Sequence, residues 1–150
     1  MTDILFYHLQ SRPLESVLPQ LVEKSLDKQW RVVIQAVTRE RLAALDEWLW
    51  SFDEASFLPH ASDEDGDPSG QPVLLTTGEG NPNGAKIRFL TEGAQIPDNA
   101  GDYERIVLLF DGNDPDAVAR AREAWKGVKA RGLMATYWRQ NPDGRWEKQA

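Results

Sequence analysis

The residues with the greatest capacity for chemistry lie between Asp114 and Arg131. Arg122, Lys126 and Lys129 fall at i, i+4 and i+7, so on a helix they share one face. Residues 115–131 hold five bases and two acids, a balance of +3 in a chain of formal charge −7, so the remainder carries −10. Trp125 stands among the three cations. Cations beside an aromatic ring offer charge-assisted hydrogen bonds to carboxylates and a seat for an apolar side chain. Such a set would recognise something acidic with an apolar end. It would not make or break a bond.

Catalytic, metal and cofactor chemistry find no comparable set. The chain has no cysteine, which excludes disulfides, thiol catalysis and zinc–thiolate centres. His8 and His60 are far apart, and neither has a partner at ligand spacing; His8 reads as a structural strand residue and His60, beside Pro59, as a loop anchor. Asp63-Glu64-Asp65-Gly66-Asp67 hints at a calcium loop. It fails because its glycine precedes the third acid, Pro68 follows that acid, and no glutamate closes the loop. Asp111, Asp114 and Asp116 are accounted for by a turn and a helix N-cap. No catalytic residue, metal ligand or cofactor is assigned.

The helix that positions the cations is well marked. Asp114 sits at the N-cap, and Pro115 follows at the first helical position, where a missing N–H costs nothing. Asp116 complements the positive end of the helix dipole, Lys129 and Arg131 the negative end. Gly132 supplies the stop. Val118, Ala121, Trp125 and Val128 recur as an apolar stripe beside the cations.

Upstream, Asp3–Leu9 reads as a strand through Ile4-Leu5-Phe6-Tyr7, and Leu14 to Leu26 as a helix after Pro13. Arg31–Val37 is β-branched and strand-like, and Thr38 caps a helix reaching about Trp50. On that helix Leu42, Leu45 and Leu49 face inward, and Trp50 falls at the core's edge. Residues 51–72 hold six acids and no Lys or Arg and read as a long loop. Val73–Thr77 reads as a strand, Gly78–Gly84 as turns, Lys86–Leu90 as a half-exposed strand, and Arg105–Phe110 as the best buried strand. Leu133–Trp138 reads as the last strand, followed by a polar tail with a turn at Asn141-Pro142-Asp143-Gly144.

The order predicts one α/β domain over residues 1–150: a mostly parallel sheet covered by helices on both faces, Rossmann-like and three-layered. A nucleotide site is not expected. Gln10-Ser11-Arg12-Pro13-Leu14 follows the first strand without the glycines that let backbone approach a pyrophosphate, and no Walker sequence occurs. The N-terminus has neither a basic leader nor a long apolar run, so a cytoplasmic protein with no membrane span is expected. The acidic balance argues against a broad grip on a nucleic-acid backbone.

Several motifs resemble the chi subunit family of bacterial DNA polymerase III holoenzyme. They are Leu49-Trp50, Ser56-Phe57-Leu58-Pro59-His60, Gln71-Pro72-Val73, Ala121-Arg122-Glu123, Trp125-Lys126 and Gly132-Leu133, with the Phe6-Tyr7 strand at the opening. The resemblance implies a non-catalytic clamp-loader accessory protein. It would bind the acidic C-terminal tail of single-stranded DNA-binding protein on one face and the psi subunit on another, meeting DNA only indirectly. That tail ends in a phenylalanine bearing the terminal carboxylate. By position, Trp50, Phe57 and Trp125 would form the apolar part of the tail site, and Arg122, Lys126 and Lys129 the cationic part. The chain departs from the family with Trp125 in place of a tyrosine, Val118 and Ala124 in place of bases, and a longer, more polar segment from Thr136. The alternative is a nucleotide-binding or enzymatic domain on the same kind of sheet.

Overall fold

A computed structural model describes residues 2–10, 13–51, 61–62, 70–78, 80–91, 93 and 95–149, with residues 50, 51 and 61 described by their backbone. Its strands are β1 (Asp3–Leu9), β2 (Val32–Gln35), β3 (Ala61–Ser62), β4 (Val73–Thr76), β5 (Ile87–Thr91), β6 (Arg105–Asp111), β7 (Met134–Gln140) and β8 (Trp146–Lys148). The helices are α1 (Leu14–Asp27), α2 (Arg39–Ser51) and α3 (Pro115–Ala130). One eight-stranded sheet runs β3-β4-β2-β5-β6-β1-β7-β8. All neighbours are parallel except β7 and β8.

Alternation along the central strands divides the core into two layers. Leu9, Val32, Ile34, Ile87, Phe89, Val107 and Leu109 point to one face, where Leu14, Leu18 and Val22 of α1 and Leu42, Leu45 and Leu49 of α2 cover them. Ile4, Phe6, Val33, Leu90, Ile106, Leu108 and Phe110 point to the other, where Ala121 and Val128 of α3 meet them. The result is the expected three-layer α/β fold.

Two segments differ from their sequence patterns. Ile87–Thr91 is wholly buried rather than half-exposed, and it includes Arg88 at 0% exposure. Arg88 tolerates this because each of its N–H groups has an acceptor. Nε and Nη2 reach Gln35 Oε1 at 3.0 and 2.5 Å; Nη1 reaches Gly80 O at 3.0 Å and Tyr103 Oη at 2.9 Å; Nη2 also donates to Gly78 O. The C-terminal segment is not only a polar tail. β7 runs on to Gln140, and the Asn141–Gly144 turn returns the chain as β8. Trp146 of β8 stacks on Tyr7 with ring centroids 4.6 Å apart.

Candidate functional site

Local sequence sets the position of α3. Asp114 Oδ1 accepts the Asp116 N–H at 3.0 Å, and Pro115 opens the helix. At the far end Gly132 takes φ +73°, a left-handed conformation in which a Cβ would be strained. Its N–H donates to Lys129 O at 3.1 Å, and Leu133 N–H donates to Val128 O at 3.2 Å, which closes the last carbonyls in a Schellman motif. Leu133 and Val128 pack together in the α3-side core. Helix length and rotation are therefore held at both ends.

Ala121 and Val128 face the sheet, and Val118 and Trp125 sit half-buried on the flank toward β7. Trp125 meets Phe6 edge-on, centroids 5.2 Å apart at 71°, and Tyr137 at 6.0 Å and 79°. Tyr137 also packs against Phe110 at 6.0 Å and lies parallel to Phe6 at 6.4 Å. Each such pair contributes about 0.5–1.5 kcal/mol beyond its buried area. Lys129 Nζ lies 5.0 Å from the Trp125 ring centroid, a cation–π contact of about 0.5–1 kcal/mol at an exposed site. Arg122 is exposed on the same flank and has no hydrogen-bond or ion-pair partner among the described residues. Lys126 stands further out and pairs with Glu123 at 3.4 Å. Both side chains are about three-quarters exposed, so solvent screening leaves this pair little energy.

Four of the six residues expected from sequence, Arg122, Trp125, Lys126 and Lys129, are thus brought onto one side of α3. Trp50 lies in the last turns of α2, a helix on the opposite face of the sheet. Its side chain, and all of Phe57, fall outside the described residues.

Sequence reasoning missed the floor of this surface. His8 lies beneath it, buried, with Nδ1 2.6 Å from Tyr137 Oη. Burial, Arg139 and Arg122 hold the imidazole pKa below its usual value against the opposing pull of Asp111, so the ring is neutral near pH 7. Burial raises the Tyr137 phenol, with Arg122 and Arg139 pulling the other way. The available signal was alternation: Ala135 and Tyr137 share one face of β7, and Ile4, Phe6 and His8 share the matching face of β1.

A cavity of about 1050 Å³ opens on the other flank of α3. It lies beyond the carboxyl ends of β1 and β6, whose connections leave to opposite faces, the place where α/β sheets usually bind nucleotides. Its described lining mixes the acids Glu15, Asp111, Asp114 and Glu123 with the bases Arg41, Arg120 and Arg131. The Asn113 and Asp116 N–H groups there are engaged by Asp111 and Asp114. These two donors at the helix start are therefore taken by carboxylates and are not offered to a phosphate. Arg122, Trp125, Lys126 and Lys129 do not line this cavity, so the cationic flank is a separate surface.

The sequence model of the family described as DNA polymerase III chi subunit, HolC, matches residues 1–136. The chain is also 24% identical over 117 residues to a probable DNA polymerase III subunit chi from Rickettsia prowazekii (strain Madrid E), an alignment covering 74% of this chain and 71% of that protein. The family match takes in all of α3 and ends inside β7, and it covers most of the sheet that α3 packs on. The chain therefore belongs to the DNA polymerase III chi subunit family.

Proposed function

We propose that this protein is a non-catalytic bridge in the bacterial replicase, working in the cytoplasm. It takes the acidic C-terminal tail of single-stranded DNA-binding protein on the β7-side flank of α3 and the psi subunit on another surface. Family membership supports the role in replication. One observation carries the tail reading: Arg122, without a partner among the described residues, and a ring-stacked Lys129 flank a half-buried Trp125, in a chain that is otherwise strongly acidic. Cations meet the acids of the tail, and the indole meets its apolar end. Trp50 and Phe57 join the apolar part of the site by family resemblance.

Exposed ion pairs contribute about 0.2–1 kcal/mol each, so the apolar contact sets most of the affinity. A dissociation constant on the order of micromolar follows, and it rises with salt because the charges are exposed. The experiment is a titration of a labelled tail peptide against the wild type and the Arg122→Ala, Trp125→Ala and Trp50→Ala proteins. Arg122→Ala and Trp125→Ala are each expected to weaken binding about five- to tenfold. Unchanged affinity in all three variants would remove the site. A nucleotide thermal-shift screen of the same protein is expected to show no stabilisation.

A further inference from the structure

Helix α1 carries a proline in its interior. Pro19 lies within Leu14–Asp27 and is buried. It has no N–H, so the Glu15 carbonyl four residues earlier loses the donor that the helical ladder would supply. The pyrrolidine ring also crowds that carbonyl aside.

A donor from the neighbouring helix takes the vacant place. Trp48 Nε1 of α2 donates to Glu15 O at 2.6 Å. An indole has one N–H and no other polar atom, so this bond is all that its polar edge makes. The carboxylate of the same residue is held from α2 as well, with Arg41 Nη2 3.3 Å from Glu15 Oε1. Arg41 and Trp48 are seven residues apart, close to two full turns, and lie on one face of α2. One helix face therefore grips both the main chain and the side chain of Glu15.

The two grips are not equal. The Arg41 and Glu15 side chains are each more than a third exposed, and water screens the pair. The indole bond is directional and meets a carbonyl that the proline has deprived of its helical donor. Leu42, Leu45 and Leu49 seat the inner face of α2 in the core, but apolar packing is non-directional. The same bond accounts for a large apolar side chain at the surface: Trp48 is 38% exposed, because its N–H has to reach across to α1.

We propose that Trp48 is a latch between the two helices. Its indole N–H replaces the donor that Pro19 lacks, and this replacement fixes the last turns of α2 against the first turn of α1. The device stands apart from the α3 flank and does not depend on what that flank binds. Giving the Glu15 carbonyl a donor of its own releases the end of α2 while the core leucines stay seated.

The test is amide hydrogen–deuterium exchange, read by NMR on the full-length wild type, Trp48→Phe, Pro19→Ala and the double variant. Trp48→Phe keeps an aromatic ring and removes the N–H. The amides of Glu47 to Ser51 should then exchange about five- to tenfold faster, as loss of one hydrogen bond allows, with those of α1 unchanged. Pro19→Ala should speed the same α2 amides without altering any residue of α2, because the new N–H at position 19 reclaims Glu15 O, while α1 itself exchanges more slowly. In the double variant Trp48→Phe should add less than about twofold to the rate that Pro19→Ala sets. Rates that multiply in the double variant, or α2 amides that keep the wild-type rate in Pro19→Ala, would overturn the latch. Pro19→Ala leaves α2 intact, so it decides the matter even where Trp48→Phe does not fold.

Discussion

Gly112 is the residue on which the geometry beneath the proposed site makes its sharpest demand. A Cβ at this position would lie 2.0 Å from both Cδ2 and Nε2 of His8 and 2.6 Å from Leu9 O. The backbone cannot readily retreat, because Gly112 N–H donates to Leu9 O at 2.7 Å. The ring cannot readily retreat either, being bonded to Tyr137 and packed edge-on to Phe110 at 5.1 Å. Gly112→Ala must therefore displace His8 and break its hydrogen bond. Overpacking of this kind costs about 1–3 kcal/mol and a lost hydrogen bond about 0.5–1.5 kcal/mol, together about 2–4 kcal/mol. For a chain of this length that lowers Tm by about 5–15 °C, measured by far-UV circular dichroism. The same substitution in a His8→Ala background should cost less, because the atoms it strikes are gone. A Tm within about 2 °C of wild type for Gly112→Ala alone would refute the reasoning.

Three further outcomes are expected from the same structure. Gly127→Ala, on the exposed side of α3 with no atom of the described residues beyond its own helical turn within 4 Å of the new Cβ, should stabilise the protein by about 0.5–1 kcal/mol in a urea titration. Arg88→Leu strips donors from Gln35, Gly78, Gly80 and Tyr103 inside the core and should cost about 3 kcal/mol or more, read from the same titration. His8 has a lowered pKa in the fold, so below the usual histidine value of about 6.5 the unfolded chain takes up a proton that the native protein refuses. Stability should thus fall as pH drops through about 6.5 and level off below the native value. His8→Gln should lose this part of the fall when urea melts at about pH 7.5 and about pH 5.5 are compared.

What could be read from the chain depended on the range of the interactions involved. The β-α-β-α opening and the limits of α3 were legible, because β-branched runs, Asp114-Pro115 and Gly132 act within a few residues. The stop of α1 was less so: Gln29 takes the left-handed conformation at φ 63°, a place where sequence usually signals with glycine. The burial of Arg88 was hidden, since its partner Gln35 lies on a strand 53 residues away. β8 was hidden for a similar reason. Three residues make a weak strand pattern, and Trp146 finds its stacking partner, Tyr7, at the other end of the chain.

The candidate site divides along the same line. Arg122, Trp125, Lys126 and Lys129 are related by helical spacing, so the sequence alone places them together. Tyr137, which packs against Trp125, and His8 beneath it come together through the register of β1 against β7, which no local pattern states. Trp50 and Trp125 illustrate the converse. Family resemblance puts both in one site, but their helices pack on opposite faces of the sheet.

The central claim is that the β7-side flank of α3 holds an acidic peptide tail. Chemical-shift mapping on isotope-labelled protein, titrated with that tail, tests it most directly. The largest amide shifts should fall on Arg122 to Lys129 and on Tyr137, which packs against Trp125. Shifts gathered on α1 and α2, with α3 unmoved, would contradict it.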